Sequence, residues 1–573
     1  MGTLYDPALI PISRRGSWLS VAYLSGEHAP RGPGLYLRIN RSRPLVHRVV
    51  MRIVPVLPDG TEIALRSELE VRPGIIVAAL HNNTSDLSIV FDGPTSVRVS
   101  SSSAFRLESA FSTTAQRDNA AHAVAYSESS NRYVINARVW LRKFGIEVIQ
   151  GHSELDAPWD GEVSRYGDLT VRPAEGGAEA SIDEIGSTWT HQPRSGLTSI
   201  VANLSSEWEE FFRPFPQAPA AEAAAGLLWM CTQGASGNLT GEAIVMSLNW
   251  MDSVWSWDNW INMVALAAPH PELAFQQFSV VAEHQDAFGA YPDAVNDGFM
   301  HFNFTKPPVQ GVIIDLISEI APAFWTRKRK EAVYESVGRF TAWWLLHRRF
   351  EGDRLCHYLH GNDSGWDNGT LLRSGVPVIS PDLNAFLAYQ CRVLARLAVE
   401  TGLPAAEAAR WNAEGDSLRN ALLEELWRTD HFVARYCANG EDVDSVSLSA
   451  ALPAILATEF PGDVRSALVE RFRRCETHWG LASEAPDSPY YERDNYWRGP
   501  IWAPTTLIAV HALRRLGEEE FADRIARRFM RLVETSGFAE NFDAESGAPL
   551  VDPAYSWTAS VYLTFAGRAT MQK

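Results

Sequence analysis

The hydrophobic pattern of this chain changes period once, near residue 215, and that change divides any fold it can adopt into a β-rich part and a helical part. Before it, GLYLRIN, HRVVMRIVPVL, SDLSIVFDG, TSVRVSSS and YVINARVWLRKFGIEVIQG alternate apolar with polar residues or run β-branched. Pro-Asp-Gly, Asn-Asn, Asp-Gly and Gly-Gly turn signals separate them. Strands read in this way from about 10 to 205, without intervening helices, predict an antiparallel sandwich. PFPQAPAAEAAAGLLWMCTQ then reads as a Pro-containing linker entering a helix. Beyond it, PELAFQQFSVVAEHQ, RKEAVYESVGRFTAWWLLHRRF, LNAFLAYQCRVLARLAVETG, AAEAARWNAEGDSLRNALLEELW, FADRIARRFMRLVETSG and TASVYLTFAG repeat apolar residues at i, i+3/i+4 and i+7. At roughly 30 residues per helix and loop there is room for about twelve helices. That number fits a toroid of paired helices and an α-solenoid equally. The domains expected are 1–215 and 216–573.

Charge and cysteine usage narrow the partners. A formal charge of −18 is the wrong sign for a phosphate backbone, so nucleic acid is excluded as a partner. The dense basic run Arg327-Lys328-Arg329-Lys330 falls in a helical pattern and reads as a solvated face. No apolar run approaches the ~20 residues that span a bilayer, and MGTLYDPALIPISRRGSW lacks the features of a secretory signal. The five cysteines form no CxxC pair. A cytoplasmic location is the expectation, with the oligomeric state open. His357 and His360 stand three apart, but neither they nor His284, His301 and His478 have a third ligand at suggestive spacing, so no catalytic metal is expected. A structural calcium held by loop oxygens is the one metal an acidic chain leaves open.

Chemistry concentrates in four irregular segments that combine acids, aromatics and Gly: 254–260, 361–370, 490–502 and 537–543. Of the 20 Trp, most lie in the helical part, and aromatic faces in clefts commonly stack on the apolar faces of sugars. Cleaving a glycosidic bond needs one protonated and one ionised carboxyl. Asp367, directly after Trp366, suits the protonated donor, because an acid wedged against an indole is held neutral. Glu540, in the more polar Glu-Asn-Phe-Asp setting, suits the base.

Taken together, these segments resemble glycoside hydrolase family 63 and its relatives in the inverting (α/α)6-barrel clan that includes trehalases. SGWDN is similar to the loop bearing the clan's general acid, and YWRGPIW to a family segment lining the sugar pocket. WxWD resembles the early loop that holds the sugar, and Glu540 matches the late-loop base. Lys306-Pro307-Pro308 with Gln310, and Asp382-Leu383-Asn384, also resemble family segments. The resemblance implies a β-sandwich followed by an (α/α)6 barrel, and inversion: Asp367 protonates the leaving oxygen while Glu540 activates water, the carboxyls standing roughly 6.5–9.5 Å apart. It assigns Trp257, Asp258, Trp366, Trp497, Arg498, Gly499 and Trp502 to the substrate pocket. Arg498 is read equally as a hydroxyl or carboxylate clamp and as a structural ion-pair partner, and Trp502 more as core. Asp363, where relatives often carry Glu, and the pair Gly369-Thr370 depart from the family pattern at positions expected near the substrate.

The function expected is an inverting, exo-acting α-glycosidase, foremost an α-glucosidase, on a short oligosaccharide or small glucoside. α-Mannoside and glycosylglycerate are close competitors. The rival readings are a phosphorylase, which needs a phosphate pocket in place of the base, an epimerase built on His357 and His360, and an inert carbohydrate-binding pocket.

Overall fold

The computed structural model describes residues 5–41, 48–82, 84–110, 123–137, 142–190 and 193–571. The chain forms two compact units. The first takes Met1–Pro214, and the chain returns to it at Gly226–Ser236 and Ser247–Asp252; the second takes the rest.

Two antiparallel sheets build the first unit. One has six strands in the order Leu19–Leu24, Gly34–Ile39, Val49–Val56, Ala104–Ser109, Asp168–Arg172 and His152–Asp156. The other has eight: Leu65–Arg72, Ile75–Leu80, Asp86–Phe91, Ser96–Ser101, Ala178–Ile185, Arg142–Gln150, Arg132–Ala137 and Ala123–Ser129. Ile75–Leu80 alternates, with Ile76, Ala78 and Leu80 inside, whereas every residue of Val49–Val56 is buried. Each such Val, Leu or Ile withdrawn from water contributes about 1.5–3 kcal/mol.

Two expectations need correction here. YVINARVWLRKFGIEVIQG is not one strand: Arg132–Ala137 and Arg142–Gln150 pair antiparallel, and 138–141 lie outside the described residues. The strand region also ends early, because Leu197–Phe212 is a helix, α1. It buries Ile200, Leu204, Trp208 and Phe211 at helical spacing. Leu204 occupies the space beside Gly74 where a Cβ would meet it at 2.9 Å.

From residue 221 onward, among the described residues, the long elements are α2 (Ala221–Cys231), α3 (Asp258–Leu266), α4 (Pro271–Ala282), α5 (Gln310–Ile320) and α6 (Arg327–His347). After a single turn, α7 (Gly361–Ser364), come α8 (Pro381–Thr401), α9 (Ala405–Ala421), a 3-10 helix (Leu448–Glu459), α10 (Gly462–Cys475), α11 (Ala503–Leu516), α12 (Glu519–Ser536) and α13 (Ser556–Met571). Burial alternates along this series. All nine residues of α3 are buried and α11 is buried from Ala503 to Leu513, while α12 between α11 and α13 buries only one stripe. The buried elements touch in turn: α3 with α5, α5 with α8, α8 with the 3-10 helix, that helix with α11, α11 with α13, and α13 with α3. The amphipathic ones lie against these, α4 on α3, α9 on α8, α10 on the 3-10 helix and α12 on α11.

Within the basic run, Arg329 is not solvated. It is 8% exposed, donates to the Phe324 carbonyl (2.9 Å) and to Glu272 (2.5 Å), and lies over the rings of Phe275 and Phe324. Among the described residues no helix is long and apolar enough to cross a membrane. The five cysteines form no disulfide with one another.

Candidate active site

Short antiparallel ladders organise the loops that the sequence presents as irregular. Val254–Trp255 pairs with Ala294–Val295, and Ile501–Trp502 pairs with Asn541–Phe542 so that Trp502 faces Asn541. The second ladder brings the YWRGPIW run beside Glu540.

Asp258 opens α3, directly after Trp257. Backbone amides and the helix dipole at that terminus favour a carboxylate. Burial wins: the side chain is 2% exposed and its carboxyl is pushed up to about 7, with Asp293 and Asp367 adding repulsion and Lys306 opposing. Lys306 is itself buried. Its ammonium meets Asp293 Oδ1 at 3.0 Å and donates to the Asn362 carbonyl at 2.9 Å, joining the segment before Ala294–Val295 to the Asp367 loop.

That loop is wound tightly. Asp363 accepts from the backbone amides of Thr305 and Leu359, both at 3.0 Å, and from Arg348 Nη1 at 2.9 Å. Asp363, expected near the substrate, is therefore an internal anchor of the loop. Gly365 closes α7 at φ 71°, and Trp257 fills the space where a Cβ would stand. A Cβ on Gly361 would overlap the carbonyl oxygen of Asp367. Asp367 emerges half-buried; burial raises its pKa, as does Asp293, while Lys306 and His360 lower it. Next to it, Asn368 accepts from the Trp497 amide (2.9 Å), donates to Asn495 Oδ1 (2.8 Å), and its carbonyl receives Arg498 Nε (3.0 Å). Arg498 thus braces the backbone beside Asp367, with Nη1 standing 3.8 Å from Glu492.

Glu540 is fixed from both sides, its amide donating to the Asp552 carbonyl (2.7 Å) and its carbonyl accepting from Trp557 Nε1 (3.0 Å). Its side chain is 0% exposed, which corrects the polar setting expected from the neighbouring residues. Burial, with Asp552 and Asp258 adding to it, pushes its carboxyl up to about 8. Oε1 accepts the Tyr496 hydroxyl at 3.1 Å, and Oε2 has no partner among the described residues. Tyr496 holds φ 52°, a left-handed conformation rare for an aromatic residue, and its carbonyl is tied to Trp502 Nε1 at 3.0 Å. The charges of Asp367 and Asp258 also act on the Tyr496 hydroxyl, so the three acids share one electrostatic neighbourhood.

The indoles flanking these residues in the chain pack on one another. Trp497 stacks on Trp502 at 3.8 Å and meets Trp366 at 4.8 Å; Trp257 meets Trp497 at 6.3 Å. All four are at most 3% exposed, a packed cluster in which Trp257, Trp366 and Trp497 adjoin Asp258, Asp367 and Tyr496 in the chain. Gly499 allows the turn: a Cβ there would strike the Glu492 carbonyl.

Residues 251–558, more than half of the 573, match the family model described as the mannosylglycerate hydrolase MGH1-like glycoside hydrolase domain. The chain belongs to that family. The mannosylglycerate hydrolase of Thermus thermophilus is 27% identical over 237 residues, 40% of this chain and 52% of that protein, so the match spans about half of the relative. The crystal structure of a GH63 mannosylglycerate hydrolase from another strain of that species, in complex with glucose, superposes at TM-score 0.52, with 21% identity over 61% of this chain and 99% of that one. A bacterial glucoamylase complexed with acarbose shares the fold through the whole length, at TM-score 0.64 and 11% identity over 99% of this chain and 94% of that one. The resemblance to glycoside hydrolase family 63 is thereby confirmed, and with it a mixed fold of antiparallel sheets followed by helices.

Four neighbours of the acids in this glycoside hydrolase domain are not marked by its sequence as site residues: Asp293, Tyr496, Asp552 and Trp557. Tyr496 lies inside the quoted YWRGPIW run, but nothing in a linear motif marks a positive φ. Trp557 reads as ordinary helix core, and only the fold turns its Nε1 toward Glu540. Among the described residues no group of three or more His, Cys, Asp or Glu is arranged to hold a metal ion.

Proposed function

We propose that the chain is an inverting, exo-acting α-glycosidase, foremost an α-glucosidase, that cleaves a short oligosaccharide or small α-glycoside with Asp367 as general acid and Glu540 as general base. The observation that carries this is a pair of separately held, raised-pKa carboxyls that both act on the Tyr496 hydroxyl, Glu540 by a hydrogen bond and Asp367 by its charge. The proposed architecture is a β-sandwich domain, 1–215, serving as scaffold, and an (α/α)6 barrel, 216–573. The closed succession of six buried helices, backed by amphipathic ones, supports the barrel.

In the reaction, Asp367 gives its proton to the glycosidic oxygen as the bond to the anomeric carbon breaks. Glu540 takes a proton from the water that bonds to the opposite face of that carbon. Asp258 hydrogen-bonds sugar hydroxyls, and Arg498 keeps the acid loop in register. Carboxyls and water supply every proton, so the reaction needs no cofactor. The epimerase alternative finds no converging pair of histidines: His357 is buried against Phe350, its pKa lowered to about 4 by burial, while His360 is exposed. Proton NMR of a fresh digest of α-linked substrates tests the stereochemistry. The β-anomer is expected first, and initial release of the α-anomer would refute inversion.

A base must be ionised to act, and burial opposes this at Glu540. The Tyr496 hydroxyl stabilises the charged form. Because Asp367 must hold its proton at the same time, the group near pH 8 should appear as the alkaline limb of kcat/KM, activity falling above it as both carboxyls lose their protons. Tyr496→Phe removes the donated bond and should move that limb upward by about one pH unit, with turnover at pH 7 reduced about tenfold. A pH–rate profile unchanged in position would show that the hydroxyl does not tune the base.

A further inference from the structure

We propose that the leaving-group side of the site is an apolar shelf, built on the stacked pair Phe304 and His360, that selects a neutral sugar or aryl aglycone over a small carboxylate-bearing one. This rests on the glycosidase reading with Asp367 as the acid, because the group that protonates the glycosidic oxygen stands beside the aglycone. Around Asp367 the chain 299–306 runs along the acid loop. The Thr305 amide donates to Asp363, Lys306 to the Asn362 carbonyl, and the Phe304 ring stacks on His360 at 4.5 Å and 22°. Gly361, next to His360, abuts the Asp367 carbonyl.

The two segments that carry this pair also expose apolar side chains. Met300, Phe302 and Leu359 are 41%, 47% and 44% exposed. Apolar side chains gathered at the edge of a polar site mark a binding surface, and aromatic faces suit the C–H face of a sugar or an aryl ring.

The nearby cations are already engaged. Those acting most strongly on Asp367 are Lys306 and His360. The Lys306 ammonium is held by Asp293 and the Asn362 carbonyl and is 6% exposed. His360 Nδ1 accepts the Asn362 amide at 3.1 Å, so Nε2 is the ring nitrogen left to donate to a hydroxyl. A carboxylate on the aglycone would instead face Asp367, and the ammonium acting on that acid, Lys306, is already paired with Asp293.

The test compares α-linked gluco- and manno-disaccharides, aryl α-glycosides, the matching glycosylglycerates, and the glycosyl fluorides, which have no aglycone to stack. Wild-type kcat/KM is expected to be at least about tenfold higher for neutral aglycones than for glycerate. Phe304→Ala should lower the disaccharide value about tenfold, through KM, with a much smaller loss on the fluoride. Phe302→Ala, at an exposed position that does not threaten the fold, should act in the same direction. Preference for glycerate, or equal losses on disaccharide and fluoride, would overturn the shelf. If no substrate turns over, fluorides included, the glycosidase reading beneath it fails.

Discussion

Asp367→Asn and Glu540→Gln should each lower kcat on an unactivated α-glycoside by about a thousandfold or more, the loss expected when a positioned acid or base is removed. The two variants should then part company on a glycosyl fluoride. Fluoride leaves without being protonated, so Asp367→Asn should retain most of the wild-type rate there, while Glu540→Gln, which has lost the group that activates water, should remain impaired. This contrast bears directly on the electrostatics. Glu540 is the more deeply buried of the two and the one raised to about 8, so on protonation alone it is the better donor. The assignment of Glu540 as base rests on the Tyr496 hydrogen bond, which favours its ionised form. If Glu540→Gln kept its rate on the fluoride and Asp367→Asn lost it, the roles would have to be exchanged. Circular dichroism and a cooperative melt on both variants establish that the fold is retained.

What the sequence reveals of this site is the chemistry of its loops, and what it conceals is their burial. SGWDN and YWRGPIW point to the acid loop and the pocket because Gly, Trp and acids in close succession are uncommon outside such places. The setting of Glu540 is misleading for a physical reason. Its neighbours Asn541 and Asp543 are polar, but a ladder to Ile501–Trp502 and the indole of Trp557 enclose the backbone, and solvent exclusion follows from packing between segments far apart in the chain. Arg498 illustrates the same limit: a linear motif offers its guanidinium as a ligand, while the fold places Nε on the Asn368 carbonyl. The fold itself is more legible. Alternation marks Ile75–Leu80, and the 3.6-residue stripe marks α12, because each period places one face against a core. Leu197–Phe212 is hard to read as a helix because it follows the last strand, Ala178–Ile185, after only a short irregular stretch, and the period shifts without a strong capping residue: Gly196 makes no side-chain cap.

Glu540→Gln should also make the protein more stable, and by an amount that depends on pH. Folding carries this carboxyl from its ordinary value of 4.5 up to about 8. A raised folded-state pKa means that the native state binds the proton more tightly than the unfolded chain does. Below about pH 4 the group is protonated in both states and contributes nothing to the difference. As pH rises from there to about 8 the unfolded chain ionises freely while the native state resists, so the wild type loses stability across that window; above it the deficit is constant. Glutamine never ionises, can still accept the Tyr496 hydroxyl through its amide oxygen, and escapes the loss. Thermal melts of the two proteins should therefore coincide near pH 4 and separate progressively to pH 8, the variant gaining on the order of a few kcal/mol, or several degrees in Tm. A gap that does not change with pH, or a variant that is the weaker protein at pH 7, would show that Glu540 is not held in the desolvated state described here. Asp258, raised to about 7 by the same burial, should behave alike on replacement by Asn. The burial that destabilises both carboxylates is, in the proposed mechanism, also what makes an ionised Glu540 reactive toward water, so the gain in stability and the loss of turnover have one cause.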